Sequence, residues 1–332
     1  MKLYSNEENK KLISLMTARG REPHSVVITG ERGSGRKALA GYLAASLLCE
    51  DHSGKPCGKC KSCMMLEKGT HPDFITAEQN ENGNYTLDSI RALVSDAVIL
   101  PNEGRYKIYL IPDMDRSVNT ATAVQNVLLK LVEEPPAHCV LILTAVTREI
   151  FLPTIVSRVF PLATEPCSQH DAEQWLTMKG CYGQDDIIRA VSVCGGNIGR
   201  CVEFIEGKDL PLAFECAKAA AEAMLENDEY SLLKAFFMCD GKKAAARQAL
   251  VFLSEIMHGA CLYALGVEPE KCCYKRGAEL LASRYGSAWA EEIYALVRDH
   301  TGRVDANCNL SLTVNSLTAR IVMVTRKYGG HF

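Results

Sequence analysis

Four cysteines within a short stretch of the sequence could hold a metal ion. They are Cys49, Cys57, Cys60 and Cys63, spaced as C-x7-C-x2-C-x2-C. Two-residue gaps let neighbouring thiolates turn toward one centre, and four sulfur atoms complete a tetrahedral Zn²⁺ shell with no open position for water. The spacing therefore predicts a closed, structural zinc site that folds an insert, residues 49–63, too small to hold itself.

Two other interpretations of these cysteines stay open, namely an iron–sulfur cluster and ordinary buried thiols without a metal. His52 or His71 could also replace one sulfur ligand. Zinc is favoured because the spacing seldom arises by chance and turn residues separate the cysteines. Three nearby lysines would offset the charge of a zinc tetrathiolate and help to keep the thiols ionised. They are Lys55, Lys59 and Lys61.

A second group of residues, the stretch GERGSGRKA, resembles a phosphate-binding loop. Its glycines, Gly30, Gly33 and Gly35, would let backbone N–H groups converge on a phosphate at a helix N-terminus. A working loop continues with lysine and then serine or threonine, but here these positions hold Arg36 and Lys37. A planar guanidinium does not replace a compact ammonium, and a lysine cannot ligate Mg²⁺.

The acidic pair that such a loop needs is also incomplete. The apolar run KIYLI is followed by Pro112 where the magnesium-binding acid would stand, which leaves Asp113 in the second position and Asp115 beyond it. Because both metal-handling positions are lost together, we expect no ATP hydrolysis by this chain. Whether the loop still holds a nucleotide stays open, as does a plain strand-to-helix turn that never binds one.

The order of elements fits a doubly wound α/β domain that extends to about residue 165. Residues 25–29 predict a strand that runs into the glycine loop, and residues 36–49 show helical spacing. Near-continuous apolar runs at 107–112 and 140–145 are typical of strands buried on both faces of a parallel sheet. The residues between them, 120–132, predict a helix.

Beyond Pro166 the sequence predicts only helices. Short amphipathic segments that stop at Gly180, Gly195 and Gly207 indicate a small helical domain. We therefore predict domains at residues 1–165, 166–210 and 211–332. Two apolar stripes in the last domain indicate a helical bundle core, with packing against other subunits as the alternative. The stripes are Leu250, Leu253, Met257, Ala260 and Ala264, and Leu310, Val314, Leu317, Ile321 and Val324.

The composition excludes several classes of protein. Hydrophobic residues make up 47% and charged residues 23% of the 332 positions, as in ordinary globular proteins. The net charge of −3 argues against a free-standing protein whose whole surface grips nucleic acid. No apolar run is long enough to cross a membrane, the polar start lacks the apolar core of a signal peptide, and a disulfide framework is not expected. We expect a cytoplasmic protein.

Several motifs resemble those of bacterial clamp-loader subunits of the AAA+ class. PCGKCKSC, GTHPDF, NVLLKLVEEPP and LPTIVSRV occur in the order and spacing of that family. The resemblance covers essentially the whole chain, although its specific motifs lie between Gly30 and Arg200. In NVLLKLVEEPP we expect the leucines in the core and Lys130, Glu133 and Glu134 on a solvated or interface face.

The resemblance implies a nucleotide-binding-type AAA+ domain with a zinc module, a small helical lid and a helical collar that joins five subunits. The gamma/tau motor subunits of that family keep G-K-[TS] and an Asp-Glu pair, from which this sequence departs at Arg36, Lys37 and Pro112. In the lid motif GGNIGRC, Gly199 takes the place of the phosphate-sensing arginine, and Arg200 comes one residue late.

Arg158 lies in SRV, which is similar to the family's S-R-C motif with valine in place of cysteine. The resemblance implies that Arg158 is an arginine finger, which reaches the γ-phosphate of ATP held by an adjacent motor subunit. Taken without that context, an arginine beyond a strand more commonly forms a surface salt bridge worth about 0 to 1 kcal/mol.

The expected function is that of a non-motor subunit of the DNA polymerase III clamp loader, without autonomous ATPase activity. Its implied partners are the motor subunits (gamma/tau), the delta subunit, primer-template DNA held through backbone phosphates, and, weakly or indirectly, the sliding clamp. One alternative is an active ATPase motor in which Arg36 or Lys37 shifts register to serve as the loop lysine. Another is a zinc-dependent nucleic-acid-binding module, which the acidic net charge disfavours.

Overall fold

The computed structural model of the chain describes residues 3–18, 20, 22–80, 83–116, 121–165 and 167–329. The chain forms two compact units, residues 1–171 and residues 172–332. The first unit contains the strands and the second is helical. The predicted start of the 120–132 helix, Thr120, and the predicted domain boundary at Pro166 lie outside the described residues.

The first unit is built on a five-stranded sheet in the order β2-β3-β4-β1-β5, and each pair of neighbouring strands is parallel. In parallel strands the carboxyl ends meet at one edge, so the segments that follow β1, β3 and β4 lie close together. The strands are β1 Ser25–Thr29, β2 Phe74–Thr76, β3 Lys107–Ile111, β4 Cys139–Ala145 and β5 Phe160–Ala163.

Helices cover both faces of this sheet, which explains why every residue of β3 and β4 is buried. Alternate residues of β1 point to opposite faces, so Val26 packs in one apolar cluster and Val27 in the other. The first cluster includes Ile13 and Leu39, and the second includes Leu128. The helices are α1 Glu7–Ala18, α2 Arg36–Leu48, α3 Lys61–Glu67, α4 Leu87–Asp96, α5 Ala121–Glu133 and α6 Pro153–Val156.

The sequence predicted β1, β3, β4, α2 and α5, and the structure has these elements at nearly the same bounds. It did not predict β2 and β5. These strands have only three and four residues, and their half-buried pattern does not produce the long apolar run of a central strand. Both lie at the edges of the sheet, where one side of the strand needs no partner.

The second unit consists of helices around one apolar cluster that extends from Ala172 to Val322. A division of this unit into a lid and a collar stays a prediction. Among the described residues, no helix combines the length and apolar character needed to cross a lipid bilayer. The helices are α7 Gln169–Lys179, which begins in the first unit, α8 Gln184–Cys194, α9 Ile198–Glu206, α10 Asp209–Glu226, α11 Glu229–Phe237, α12 Lys243–Ala264, α13 Lys275–Asp305 and α14 Leu310–Lys327.

The two predicted apolar stripes lie on α12 and α14 and contribute to this cluster. All members of the first stripe are buried except Ala264, which is exposed because it is the last residue of its helix. In the second stripe Leu310 and Val324 are only half-buried. α13 has a break at Gly286, whose φ of 78° is in the left-handed region that favours glycine.

The carboxylate of Asp73 fixes the loop that leads into β3. Asp73 is fully buried, and it accepts hydrogen bonds from the backbone N–H groups of Asn102, Glu103 and Gly104 at 2.6, 2.8 and 2.7 Å. Burial alone would raise the pKa of this carboxyl, but the backbone donors together outweigh it and hold the pKa below its usual value. The ionised side chain therefore acts as a structural anchor.

The Asp73→Asn substitution should destabilise the chain by roughly 2 to 3 kcal/mol at neutral pH, because a neutral amide cannot accept from all these donors. The pKa of Asp73 is depressed on folding, so its contribution is present above the unfolded-state pKa and is lost as the pH falls through the folded-state value. The difference in free energy of unfolding between wild type and Asp73→Asn, measured by urea unfolding, should therefore shrink in acid. A constant difference down to about pH 3 would contradict the anchor.

Candidate functional site

The four cysteines of the predicted zinc site come together in the structure. Their sulfur atoms all lie within 4.8 Å of one another. Among the described residues, these four side chains form the group that could hold a metal ion. Cys49 ends α2, Cys60 is the N-cap of α3, and Cys63 lies in the first turn of that helix. Neither His52 nor His71 joins the group. The four thiols could hold a metal ion through sulfur alone.

Backbone N–H groups support the sulfur atoms. The N–H of Cys57 donates to Cys49 Sγ at 3.3 Å, and the N–H groups of Lys59 and Cys60 donate to Cys57 Sγ at 3.4 and 3.3 Å. The last two bonds lower the pKa of Cys57 to about 7, whereas burial raises the pKa of Cys63 to about 12.

The charges of the nearby lysines were expected to keep the thiols ionised. For Cys57, however, backbone N–H donors are the leading cause of the lowered pKa. Lys61 instead forms an ion pair with Glu103, at 2.7 Å. Gly54 packs against α1, since a Cβ atom there would lie 2.5 Å from the backbone oxygen of Ser14. The cysteine segment therefore packs against α1, and its four sulfur atoms converge on one point.

The glycine loop joins β1 to α2 through glycines with positive φ. Gly33 and Gly35 have φ of 82° and 89°, and α2 begins directly afterwards with no side chain capping its first turn. Gly30 has a φ of 150°, and a Cβ atom at this position would lie 1.9 Å from Thr164 Oγ1. Both conformation and close packing thus require glycine here.

The basic residues of the loop are paired with the acids that follow β3. Arg36 Nη2 lies 2.9 Å from Asp113 Oδ1, and Arg36 Nη1 lies 3.3 Å from Asp115 Oδ1. The side chains of these three residues are only 6%, 7% and 10% exposed. Lys37 also pairs with Asp113, at 3.0 Å, and Arg32 pairs with Asp115, at 3.1 Å.

These acids also hold the end of β4. Asp115 Oδ1 accepts from the N–H of Val146 at 3.1 Å, and the N–H of Asp113 donates to Thr144 Oγ1 at 2.9 Å. Burial would raise the pKa of Asp115, but the Arg32 hydrogen bond and the charge of Arg36 outweigh it and keep the pKa below its usual value. The cations that would face a phosphate therefore face the protein's own carboxylates. The sequence placed Asp113 in the second acidic position and Asp115 beyond it, but it did not reveal this pairing.

Arg158 lies on the surface of the first unit, just after α6. Its side chain is 45% exposed, and Nη1 donates to the backbone oxygen of Thr154 and to Ser157 Oγ, both at 3.1 Å. Nη2 lies 3.4 Å from Glu133 Oε1 at the end of α5. The surface salt bridge, which is the ordinary role for such an arginine, is thus present, and the guanidinium also faces solvent.

The buried amide of Gln125 links α5, which ends at Glu133, to the residues just before α6, the helix that Arg158 follows. Its Nε2 donates to the backbone oxygen of Ile150 at 2.9 Å, and its Oε1 accepts from the N–H of Leu152 at 2.7 Å. A lone glutamine in an amphipathic helix gave no indication of this role in the sequence. Gln125 fixes the position of α6 on α5, and with it the position of Arg158.

Arg200 lies inside the second unit. Its guanidinium lies over the ring of Phe252, 4.5 Å from the ring centroid, and Nη1 lies 2.9 Å from Glu255 Oε1. These contacts join α9 to α12, so Arg200 has a packing role within its unit. Gly199, in the predicted sensor position, has no side chain to contribute.

Comparisons with known proteins agree on one family. A family model described as DNA polymerase III, delta subunit, matches residues 5–168. The delta-prime subunit of Escherichia coli is 31% identical over 229 residues, which cover 68% of this chain and 67% of that protein. The delta-prime subunit of Pseudomonas aeruginosa is 35% identical over 168 residues, half of each chain. A gamma/tau subunit of Mycobacterium tuberculosis is 34% identical over 147 residues, 44% of this chain and 25% of that protein.

The parallel five-stranded sheet, with a glycine-rich loop between β1 and α2, defines an α/β domain that is followed by a helical unit. Within that class, the chain belongs to the delta-prime family of DNA polymerase III clamp-loader subunits. The family indicated by the sequence motifs is thereby confirmed.

Replacing Arg36 by methionine should lower the free energy of unfolding of the first unit by about 2 to 3 kcal/mol at pH 7, because two buried carboxylates lose their shared partner and keep only the more exposed Lys37 and Arg32. The depressed pKa of Asp115 means that its stabilising contribution exists above the unfolded-state pKa and disappears as the pH falls. The cost of Arg36→Met should therefore decrease in acid. Urea unfolding followed by far-UV circular dichroism measures this free-energy cost. The fluorescence of Trp175 and Trp289 reports the unfolding of the second unit separately.

The Arg32→Met variant is the matched control. Arg32 pairs with the same Asp115, but its side chain is 63% exposed, so the variant should cost less than about 1 kcal/mol. Equal costs for the two variants would show that the buried position of Arg36 is unimportant.

Proposed function

We propose that the chain is a non-motor subunit of the DNA polymerase III clamp loader, which lends Arg158 to the ATP site of a neighbouring motor subunit and helps to load the sliding clamp onto primed DNA. The observation that carries this proposal is the pairing of Arg36 with Asp113 and Asp115. The loop's own cation and the nearby acids neutralise each other within the chain. ATP hydrolysis requires the same groups to bind phosphate, magnesium and water.

The remaining residues of the loop support this proposal. Lys37 occupies the position of a magnesium-binding hydroxyl, and its ammonium pairs with Asp113. Pro112 supplies no carboxylate, and its backbone oxygen accepts from the Tyr85 hydroxyl. A shift of register that made Arg36 or Lys37 a catalytic cation would have to break these ion pairs. The desolvated pair of Arg36 makes that costly.

The position of Arg158 suits a residue that acts on another chain. The guanidinium is exposed, and its two neutral acceptors, Thr154 and Ser157, orient one nitrogen without neutralising the charge. Surface ion pairs such as the one with Glu133 contribute little stability, so they can be exchanged for a phosphate. A guanidinium directed at a γ-phosphate stabilises the charge that develops in phosphoryl transfer.

We further propose that the four-cysteine site binds Zn²⁺. Four thiols and no carboxylate or imidazole form the donor set of structural zinc, and the N–H···S contacts orient the sulfur atoms. A bound ion would tie the end of α2 to the start of α3 and would keep all four thiols ionised. The metal would stabilise the fold and take no part in ATP turnover.

The architecture that accompanies this proposal has residues 166–210 as a lid and residues 211–332 as a collar. It assigns the gamma/tau motor subunits and the delta subunit as partners, with primer-template DNA held inside the assembly. The similarity to a gamma/tau subunit favours a second candidate, an ATP-hydrolysing motor. Arg36, Lys37 and Pro112 count against that candidate, because each differs from what the motor chemistry needs.

The Arg158→Ala variant should assemble with the motor subunits but abolish most of the ATP turnover at the one site that Arg158 completes, so the turnover of the complex should fall by that site's share. Arginine fingers contribute roughly 10³- to 10⁵-fold where they serve a single site, and other sites in the complex would dilute that effect. Steady-state phosphate release measures turnover, and size-exclusion chromatography measures assembly. The isolated chain should release no phosphate from magnesium-ATP.

The Arg148→Ala variant is a matched control, since Arg148 is another exposed arginine of the first unit that precedes α6. It should leave turnover unchanged. If wild type alone hydrolyses ATP and the activity elutes with the monomer, the motor candidate replaces this proposal. If Arg158→Ala turns over ATP like wild type, the finger assignment is wrong.

Chain purified under reducing conditions should contain about one equivalent of zinc, measured by inductively coupled plasma mass spectrometry. The Cys60→Ser variant should lose most of it and show faster amide exchange across residues 49–63, because the insert depends on the metal to hold its fold. Cys181→Ser, which changes an exposed cysteine outside the cluster, should retain the metal. Iron with visible absorbance, or less than about half an equivalent of zinc, would contradict the zinc proposal.

A further inference from the structure

Glu133 is the charged residue that faces the guanidinium of Arg158. Its Oε1 lies 3.4 Å from Arg158 Nη2, and both side chains are 45% exposed. Glu133 is the last residue of α5, and Glu134, also exposed, follows it. The carboxylate thus occupies one side of the group that the proposed function directs at a phosphate.

The contact between Glu133 and Arg158 is set by the fold beneath it. Gln125 fixes the start of α6 on α5 through two hydrogen bonds. Leu128 and Ile155 are fully buried in one apolar cluster below the two charged residues. The carboxylate and the guanidinium therefore meet because their helices are held in place, and not because two free side chains happen to approach each other.

The orientation of the guanidinium does not depend on Glu133. The other terminal nitrogen, Nη1, is held by Thr154 and Ser157, whose oxygen atoms are neutral. The contact with Glu133 is a single, long one, and its geometry is not the bidentate fork of a strong Arg–carboxylate pair. A carboxylate in this position would compete with a phosphate for Nη2, and it would repel the negative charge of the phosphate.

We propose that Glu133 is an internal competitor for Arg158, which weakens its engagement with a neighbour's ATP until the two subunits are closely docked. This inference rests on the proposed function of Arg158. It assigns Glu133 a regulatory role in that contact. Docking would have to displace the carboxylate, so the finger engages only in a well-formed interface.

Titration of this subunit into a fixed amount of the motor subunits, with ATP turnover as the readout, tests the proposal. The Glu133→Gln variant keeps the shape of the side chain and removes its charge. It should lower the subunit concentration needed for half-maximal stimulation by about two- to fivefold at low salt, as expected for an exposed ion pair. The difference should shrink at about 0.5 M salt, because exposed charges are then screened.

Glu134→Gln is the matched control, since it makes the same change of charge at the next exposed position. It should shift the half-maximal concentration much less than Glu133→Gln. In an Arg158→Ala background, Glu133→Gln should have no further effect. Circular dichroism of each variant establishes that the fold is retained.

Each failure has a separate meaning. If Arg158→Ala stimulates as well as wild type, the finger assignment fails and the role of Glu133 falls with it. If Arg158→Ala is defective but Glu133→Gln behaves like Glu134→Gln, only the competitor is excluded. If Glu133→Gln lowers the maximal rate, Glu133 positions the guanidinium, and the competitor is overturned.

Discussion

The buried ion pairs of Arg36 with Asp113 and Asp115 hold the glycine loop to the strands beside it. They lie at the carboxyl edge of the parallel sheet, where the loop after β1 meets the segments after β3 and β4. In a nucleotide-hydrolysing domain this edge leaves its cation and acids open to a ligand. Here the same edge is closed by contacts within the chain, and those contacts hold three strand ends together. The loop has become part of the domain's internal support.

The cysteine site and the surface around Arg158 depend on the same sheet in different ways. The first cysteine, Cys49, caps the end of α2, the helix that begins at the glycine loop. The segment that follows packs against α1 at Gly54. Arg158 follows α6, whose place is set by the buried amide of Gln125. The proposed contact of Arg158 with a partner would therefore be built on a domain whose own loop cations are paired with its carboxylates.

Much of this arrangement can be predicted from the sequence because it rests on local patterns. The spacing of the four cysteines predicts their convergence, and continuous apolar runs predict β3 and β4. The departures at Arg36 and Pro112 predict a loop without hydrolysing chemistry. The edge strands β2 and β5 escape prediction because short, half-buried segments lack a distinctive period.

The features that the sequence did not predict are contacts between residues far apart in the chain. Arg36 meets an acid 77 residues away in the sequence, and Asp73 accepts from backbone groups about thirty residues further on. Neither partner can be named from local spacing, because only the strand order brings them together. The same is true of Glu133 and Arg158, whose separate motifs gave no indication that the two charges touch.

Gly30 illustrates how a sequence signature can persist for a reason other than the one that defines it. A side chain at this position would collide with Thr164 beyond β5, so the architecture demands glycine whether or not any nucleotide visits the loop. A search that counts glycines in such a loop will therefore also match domains in which glycine is required by packing alone. The residues that face the loop from neighbouring strands are more informative. Their charge decides whether the loop's cations are free to bind a phosphate or are already paired within the chain.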